Sequence, residues 1–422
     1  MLGAYGAVVR VLAAGVVTGL LVAGGSGCVA HRAVSGLAAG RVDRRGVARS
    51  AGGVVGGLPG SWTRQRSPRL RRFRLQAVSC SPDGRHCLAV GVFCVSAVCR
   101  GKRAGAVLAT ADGGSVWVRR PLPRGIRFSG YFEDSPARLS GALSCAGSLR
   151  CVVLGWQGCG KRSHMAILLT TTGGKTWAVI NGRSLGSGMY GLSCPSASTC
   201  FAAGSQGASG AVITTTDGGR QWARLRLPRG TGVLNAIWCP SAARCTAVGA
   251  DGADHVNASA FAVSTSSGGR AWTRGILPQH VPALIAVSCP PSPTCYATGN
   301  SQLRGYILVT TDGGRKWRAN LRPEGNKFNE LVSISCPSAT TCAAAGTAHE
   351  IATGAGGPAR LIVATSNGGS AWPAQTHPAG FSELLSVSCS RTLRCVAVGN
   401  WWTDRGGYFT DSGALILINL HH

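Results

Sequence analysis

Seven close cysteine pairs, six Gly-Gly-x-x-Trp motifs and short apolar runs between Gly- and Pro-rich turns predict an all-β fold. The repeat count points to a seven-bladed β-propeller with four antiparallel strands per blade, the last blade closed by an N-terminal strand. The pairs are Cys80/Cys87, Cys145/Cys151, Cys194/Cys200, Cys239/Cys245, Cys289/Cys295, Cys336/Cys342 and Cys389/Cys395. Six are six residues apart and the first is seven apart. Four residues beyond each second cysteine stands a glycine: Gly91, Gly155, Gly204, Gly249, Gly299, Gly346 and Gly399. Strand A is expected to end at the first cysteine of each pair and strand B to begin at the second.

The second motif follows each of the first six pairs, as in ATADGGSVW, TTTDGGRQW and TTDGGRKW, and ends at Trp117, Trp177, Trp222, Trp272, Trp317 and Trp372. Strand C runs into the glycine pair and strand D carries the tryptophan. The last repeat stops after a strand C at 414–420, while GGLPGSWTRQR near the start holds Trp62 with no strands before it. From tryptophan to the next first cysteine the interval is 17 residues in four repeats and 19 in another; from Trp62 to Cys80 it is 18. Trp62 therefore belongs to the missing strand D of blade 7, and its pairing leaves no open sheet edge.

Each cysteine pair flanks a tight A–B turn that sets its sulfurs opposite one another, so seven disulfides are expected. Each such loop contributes about 2 kcal/mol in the chain-entropy model. Zinc pairs sit closer together and come with histidines, which these do not. In the glycine turns, Asp112, Asp217 and Asp312 precede the Gly pair and can accept main-chain N–H bonds, with Thr172, Ser267 and Asn367 in the other three turns. The acids are read as structural and the tryptophans, Trp62 included, as core wedges between strands or blades.

The whole motif, T-x-D-G-G-x-x-W, resembles the Asp-box of bacterial neuraminidase repeats. The larger unit, an AVG-like strand followed by a strand into TTDGGxxW, is similar to the propeller family that contains the photosystem II stability and assembly factor. Sortilin-like receptors share the box. The resemblance spans about residues 57–422. It implies a propeller, and it implies no single function, because sialidases, receptors and assembly factors all carry such boxes.

Composition adds a compartment and a charge. With 43 Lys+Arg against 15 Asp+Glu the formal charge is +28, nearly all of the cations being arginine. That favours an anionic partner, either an envelope polysaccharide or a lipid surface, with nucleic acid still among the candidates. Residues 1–30 read as a signal peptide or N-terminal anchor: Arg10, an apolar stretch from Val11 to Ala23, then small residues around Cys28. Residues 31–52 read as a basic flexible linker and 53–422 as the propeller. Eighteen cysteines fit an oxidising exterior, so the chain is expected to be secreted or envelope-associated. Cys28 also sits in a GSGC sequence that partly matches a lipoprotein box, and the pairing of Cys94, Cys99 and Cys159 stays open.

A–B and C–D turns share one side of such a ring, and B–C and D–A loops the other. Length varies on the second side: the second cysteine lies 22 to 30 residues before its Trp, and the link Trp117–Cys145 is 28 long. Variable loops on a rigid scaffold carry function, so this B–C/D–A face is the predicted working surface. Its candidate ligand residues are Arg100, Lys102, Arg103, Arg124, Arg127, Tyr131, Lys161, Arg162, Trp401, Trp402 and Arg405, cations and aromatics interleaved. The sequence carries no HExxH, no phosphate-binding loop and no histidine cluster, and it calls for no cofactor or metal. The loop carboxylates Glu133, Asp134, Asp251, Asp254, Glu350, Glu383 and Asp404 show no acid/base spacing. The expected function is a non-catalytic binding scaffold, a monomer, for a protein or an anionic polymer. A sialidase-like glycosidase and an assembly factor for a membrane complex are the alternatives.

Overall fold

The computed structural model describes residues 61–65, 73–94, 103–128, 143–158, 163–183, 185, 188–251, 259–281, 283–301, 304–321, 328–349, 359–378, 382–405 and 408–419. The expected signal segment, the linker and the cysteines Cys28, Cys99 and Cys159 lie outside them.

All regular structure in the described residues is β. Blade 1 is Phe73–Cys80, Cys87–Cys94, Arg103–Thr110 and Val118–Arg120, strands A to D in hydrogen-bonded order. Blade 2 is Leu143–Cys145, Cys151–Gln157, His164–Thr170 and Ala178–Asn181, with Ile126–Arg127 as an extra strand beside its strand B. Blade 3 is Gly188–Ser193, Cys200–Gln206, Ser209–Thr215 and Ala223–Leu225. Blade 4 is Val233–Trp238, Cys245–Asp251, Ser259–Thr265 and Thr273–Arg274. Blade 5 is Leu284–Ser288, Cys295–Ser301, Arg304–Thr310 and Arg318–Leu321. Blade 6 is Phe328–Ser335, Cys342–His349 and Ala359–Thr365, its outer edge reduced to a bridge between Val363 and Ala374. Blade 7 is Ser382–Cys389, Cys395–Arg405 and Tyr408–Asn419.

The missing fourth strand of blade 7 is Thr63–Arg64. It pairs antiparallel with strand C, Thr63 opposite Ile418 and Arg64 opposite Leu417. Gln65 N–H donates to the Ile416 carbonyl at 2.9 Å, and Trp62 N–H reaches across to Thr376 at the edge of blade 6, also at 2.9 Å. The first and last described segments of the chain thus share one sheet, as the tryptophan spacing predicts.

Strand B begins at the second cysteine in every blade. These strands read as continuous apolar runs such as CVVLG, CFAAG and CAAAG and are buried along their length, because neighbouring blades cover both faces of each sheet. Seven apolar clusters fill the seven junctions between blades. Each junction receives the strand D tryptophan of the later of its two blades: Trp177 between blades 1 and 2, Trp222, Trp272, Trp317 and Trp372 at the next four. Trp62, 3% exposed, sits between blades 6 and 7 against Ile362, Leu384 and Leu417, and Trp117 packs between blades 7 and 1.

The recurrent glycine in strand B answers a bulge in strand A. In six blades the A–B register slips by one residue, for example between Leu331 and Ser333, and the strand A backbone bears down on the glycine. A Cβ on Gly346 would meet the Glu330 carbonyl oxygen at 1.7 Å, and one on Gly249 the Val233 oxygen at 1.9 Å. Blade 2, whose strand A is three residues long, has no such slip, and at Gly155 the nearest atom lies 3.2 Å away.

All seven predicted disulfides form across the A–B turns, with Cα atoms 4.0 to 4.2 Å apart. Every cysteine whose side chain is described is bridged. The opposite hairpin, C–D, is held by its own side chains. In all six glycine turns a threonine at the end of strand C (Thr110, Thr170, Thr215, Thr265, Thr310 or Thr365) accepts the N–H of the second glycine at 2.9 to 3.2 Å. That threonine donates to Asp112, Asp217, Asp312 or Asn367 where one is present. The acid then accepts main-chain N–H groups beyond the turn: Val116 for Asp112, Arg220 and Gln221 for Asp217, Arg315 and Lys316 for Asp312. Both glycines of each turn have positive φ, 63 to 102°, as this geometry requires.

Three outcomes follow from this packing. Trp62→Ala, which empties the closing junction, is expected to lower unfolding free energy by about 3–5 kcal/mol in a denaturant titration. Gly346→Ala is expected to cost about 1–3 kcal/mol by forcing strand A away, while Gly155→Ala stays close to the wild type. The third concerns pH. The N–H of Gln221 and the hydroxyl of Thr215 hold Asp217 below the usual carboxylate range. For Asp312, burial acts in the opposite direction, but the Lys316 N–H, Thr310 hydroxyl and Arg315 N–H outweigh it. A folded pKa below the unfolded one gives stability that is present above about pH 4 and lost as pH falls through the folded value. Denaturant midpoints should therefore be flat down to about pH 4 and fall below it, and Asp217→Asn with Asp312→Asn should flatten that fall. Asn367 already fills the same place in blade 6, its Oδ1 accepting the Ala371 N–H at 3.1 Å.

Candidate functional site

The B–C/D–A side was the surface expected to work. Of its candidate residues, Arg100, Lys102, Tyr131, Lys161 and Arg162 lie outside the described residues, and for Arg103, Trp402 and Arg405 only the strand backbone is described. Arg103 opens strand C of blade 1 opposite Cys94, and Trp402 and Arg405 extend strand B of blade 7.

The remaining three have distinct surroundings. Arg124 is exposed on the link between blades 1 and 2. Arg127 is half-buried on the same link, its guanidinium donating to the Gly158 carbonyl at 2.5 Å and to Ser163 Oγ at 3.3 Å. Ile126 and Arg127 also pair with Gln157 and Trp156, so this link is bound down onto the B–C turn of blade 2. Arg127 thus shapes the face. Trp401 is half-buried on blade 7, and the Arg64 guanidinium lies 5.3 Å from its ring centroid. A neighbouring cation, Arg119, lies over Phe73 and Phe93 at 5.6 and 5.1 Å, on the outer edge of blade 1.

Two of the loop acids, Asp251 and Glu383, have structural tasks, and of Asp404 only the strand backbone is described. Asp251 accepts the Ser259 N–H at 2.8 Å and steadies a B–C turn, and Glu383 accepts from the Asn400 amide at 2.8 Å. Glu133, Asp134, Asp254 and Glu350 lie outside the described residues. A single Gly-x-Ser-x-Gly stretch, 182–186, follows strand D of blade 2, with Ser184 and Gly186 outside the described residues. Among the described residues no group of His, Cys, Asp and Glu is arranged to hold a metal ion.

The opposite side holds a concavity that the sequence reading passed over. Strands A of all seven blades converge with their cysteine turns on a cavity of about 300 Å³ at the mouth of the central channel. Its wall is stitched by a belt of serines, one residue before the first cysteine of each blade. Ser79 Oγ accepts the Cys145 N–H at 3.0 Å, Ser144 that of Cys194 at 2.9 Å and Ser193 that of Cys239 at 2.9 Å. Further round, Ser288 serves Cys336 at 3.0 Å, Ser335 serves Cys389 at 2.9 Å, and Ser388 serves Cys80 at 3.1 Å. The belt is broken once. Blade 4 has Trp238 in the serine position, the indole is 37% exposed, and the Cys289 N–H has no serine to meet. The signal lay in the repeat contexts: VSC, LSC or ISC six times, and IWC once.

No family model and no curated protein matches the chain. Solved structures do match it in fold. YCF48 bound to a D1 peptide aligns with a TM-score of 0.55 at 17% identity, over 86% of this chain and 100% of that one. U3-55K aligns at 0.54 and 11%, over 86% and 100%. A GH74 enzyme of Niastella koreensis aligns at 0.47 and 14%, over 80% and 65%. Likeness at these identities concerns architecture alone: the chain is similar in fold to the propellers of YCF48 and U3-55K.

Proposed function

We propose that this chain is an exported, non-catalytic binding propeller that holds a protein or an anionic polymer of the cell envelope on its B–C/D–A face. The observation that carries this reading is the division of labour among charges. The described carboxylates of the turns and loops are engaged by main-chain and amide N–H groups, while Arg124 stands exposed on the long link and the chain as a whole carries +28. A scaffold whose few acids are held inside its own turns presents a positive field to partners. The threonine–acid–glycine hydrogen bonding supports membership among Asp-box propellers, where such acids are architectural.

Export is supported by the disulfides, seven among the described residues, which persist only in an oxidising compartment. No helix of the described residues is long and apolar enough to cross a membrane. Recognition of a protein segment, and with it an assembly-factor role, has support in the structural likeness to YCF48, which was solved with a D1 peptide.

Purified propeller is expected to be retained on immobilised heparin, a sulfated polysaccharide, in about 0.05 M salt and released well below about 1 M, as surface charge is screened. Joint replacement of Arg100, Lys102, Arg124 and Arg162 by alanine should move elution to lower salt. Unchanged elution sinks the proposed face. Turnover of a fluorogenic sialoside that disappears in Asp404→Asn would move the chain to the enzyme reading.

A further inference from the structure

The geometry points to a second binding site, at the channel mouth on the disulfide face, that takes an uncharged sugar ring with Trp238 as its platform. The argument begins with what packing requires. Six of seven blades close the channel wall with a serine whose Oγ accepts the next blade's cysteine N–H. A seventh serine would complete the belt. Trp238 instead forgoes one inter-blade hydrogen bond and leaves a third of a large aromatic surface in water.

The rest of the cavity defines the ligand. Of the residues lining it, only Arg391 is charged, on a chain of net +28. An anion has better places to bind, and a cation is repelled. Blades 7 and 1 lie three steps round the ring from blade 4 in either direction. There, across the channel from the indole, Ser388 and Ser79 are half-buried, as is Ser144 beside them. Each of these hydroxyls accepts one amide hydrogen and keeps its own to donate. The Cys289 N–H adds a further donor beside Trp238. One wall is therefore an aromatic face and the opposite wall a row of neutral donors. A pyranose matches both: its axial C–H face stacks on an indole, and its hydroxyl and ring oxygens accept hydrogen bonds.

The site is also held rigid before any ligand arrives. Each turn at the mouth is closed by a disulfide, and Pro195, Pro240, Pro290 and Pro337 follow the cysteines of blades 3 to 6. The volume, about 300 Å³, is at the small end of ligand pockets and suits one or two sugar units.

The test uses the whole propeller and a panel of neutral mono- to tetrasaccharides of glucose, galactose, mannose and N-acetylglucosamine, followed by saturation-transfer NMR and calorimetry. At least one is expected to bind saturably, with affinity independent of salt. Trp238→Ser should weaken it by about tenfold or more while the fold is kept, because the serine restores the seventh hydrogen bond. Thermal unfolding no earlier than wild type checks that point. Heparin retention through the other face should survive in Trp238→Ser, which separates this site from the proposed function. Absence of binding by every neutral saccharide overturns the inference, as does binding that Trp238→Ser leaves unchanged.

Discussion

Every blade of this protein is buried on both faces by its neighbours, and none has a core of its own. The apolar clusters lie between sheets, each with a strand D tryptophan, so the stability of any blade is borrowed from the next. A ring built this way has no terminal blade to cap, provided that it closes. Closure rests on two strand residues, Thr63 and Arg64, paired with strand C of blade 7, and on Trp62 beneath them. The disulfides, glycine turns and bulges refine each blade, but the junctions decide whether there is a ring at all.

The two sides of the ring are stabilised by different chemistry, and this divides the surface into kinds. On one side a disulfide closes every A–B hairpin and a threonine anchors all six glycine turns, which makes the scaffold there uniform from blade to blade. Any departure from uniformity there stands out, as Trp238 does. On the other side the connections vary in length along the sequence, and Arg127 ties its own stretch of the link between blades 1 and 2 to Gly158 and Ser163. The cavity at the channel mouth has one charged residue, Arg391, in its lining, while the glycine turns round it carry exposed cations such as Arg220, Arg270 and Arg315.

The charge of the chain reads differently once the turns are known. Carboxylates are few, and those in the turns are engaged by N–H groups. The positive surplus is thus a property of the surface and not of the core, and it acts on whatever approaches. Cation–ring contacts at Arg64 and Arg119 show that part of the arginine complement also packs over aromatic rings.

By itself the sequence determined the number of blades, the strand order, the seven disulfides, the turn chemistry and the closing strand. Those features are local or periodic: a cysteine pair across a turn, a glycine under a bulge, an orphan tryptophan at the right interval. The glycine four residues after each second cysteine was visible as a repeat, but the strand A bulge that demands it, a carbonyl oxygen in the place of a Cβ, was not. Only the tertiary structure decided which side of the ring holds a cavity and what lines it. Ser388 and Ser79 are 309 residues apart in the chain, and Trp238 lies about midway between them. They come to one channel because rotation about a common axis, not proximity in sequence, brings the seven inner strands together.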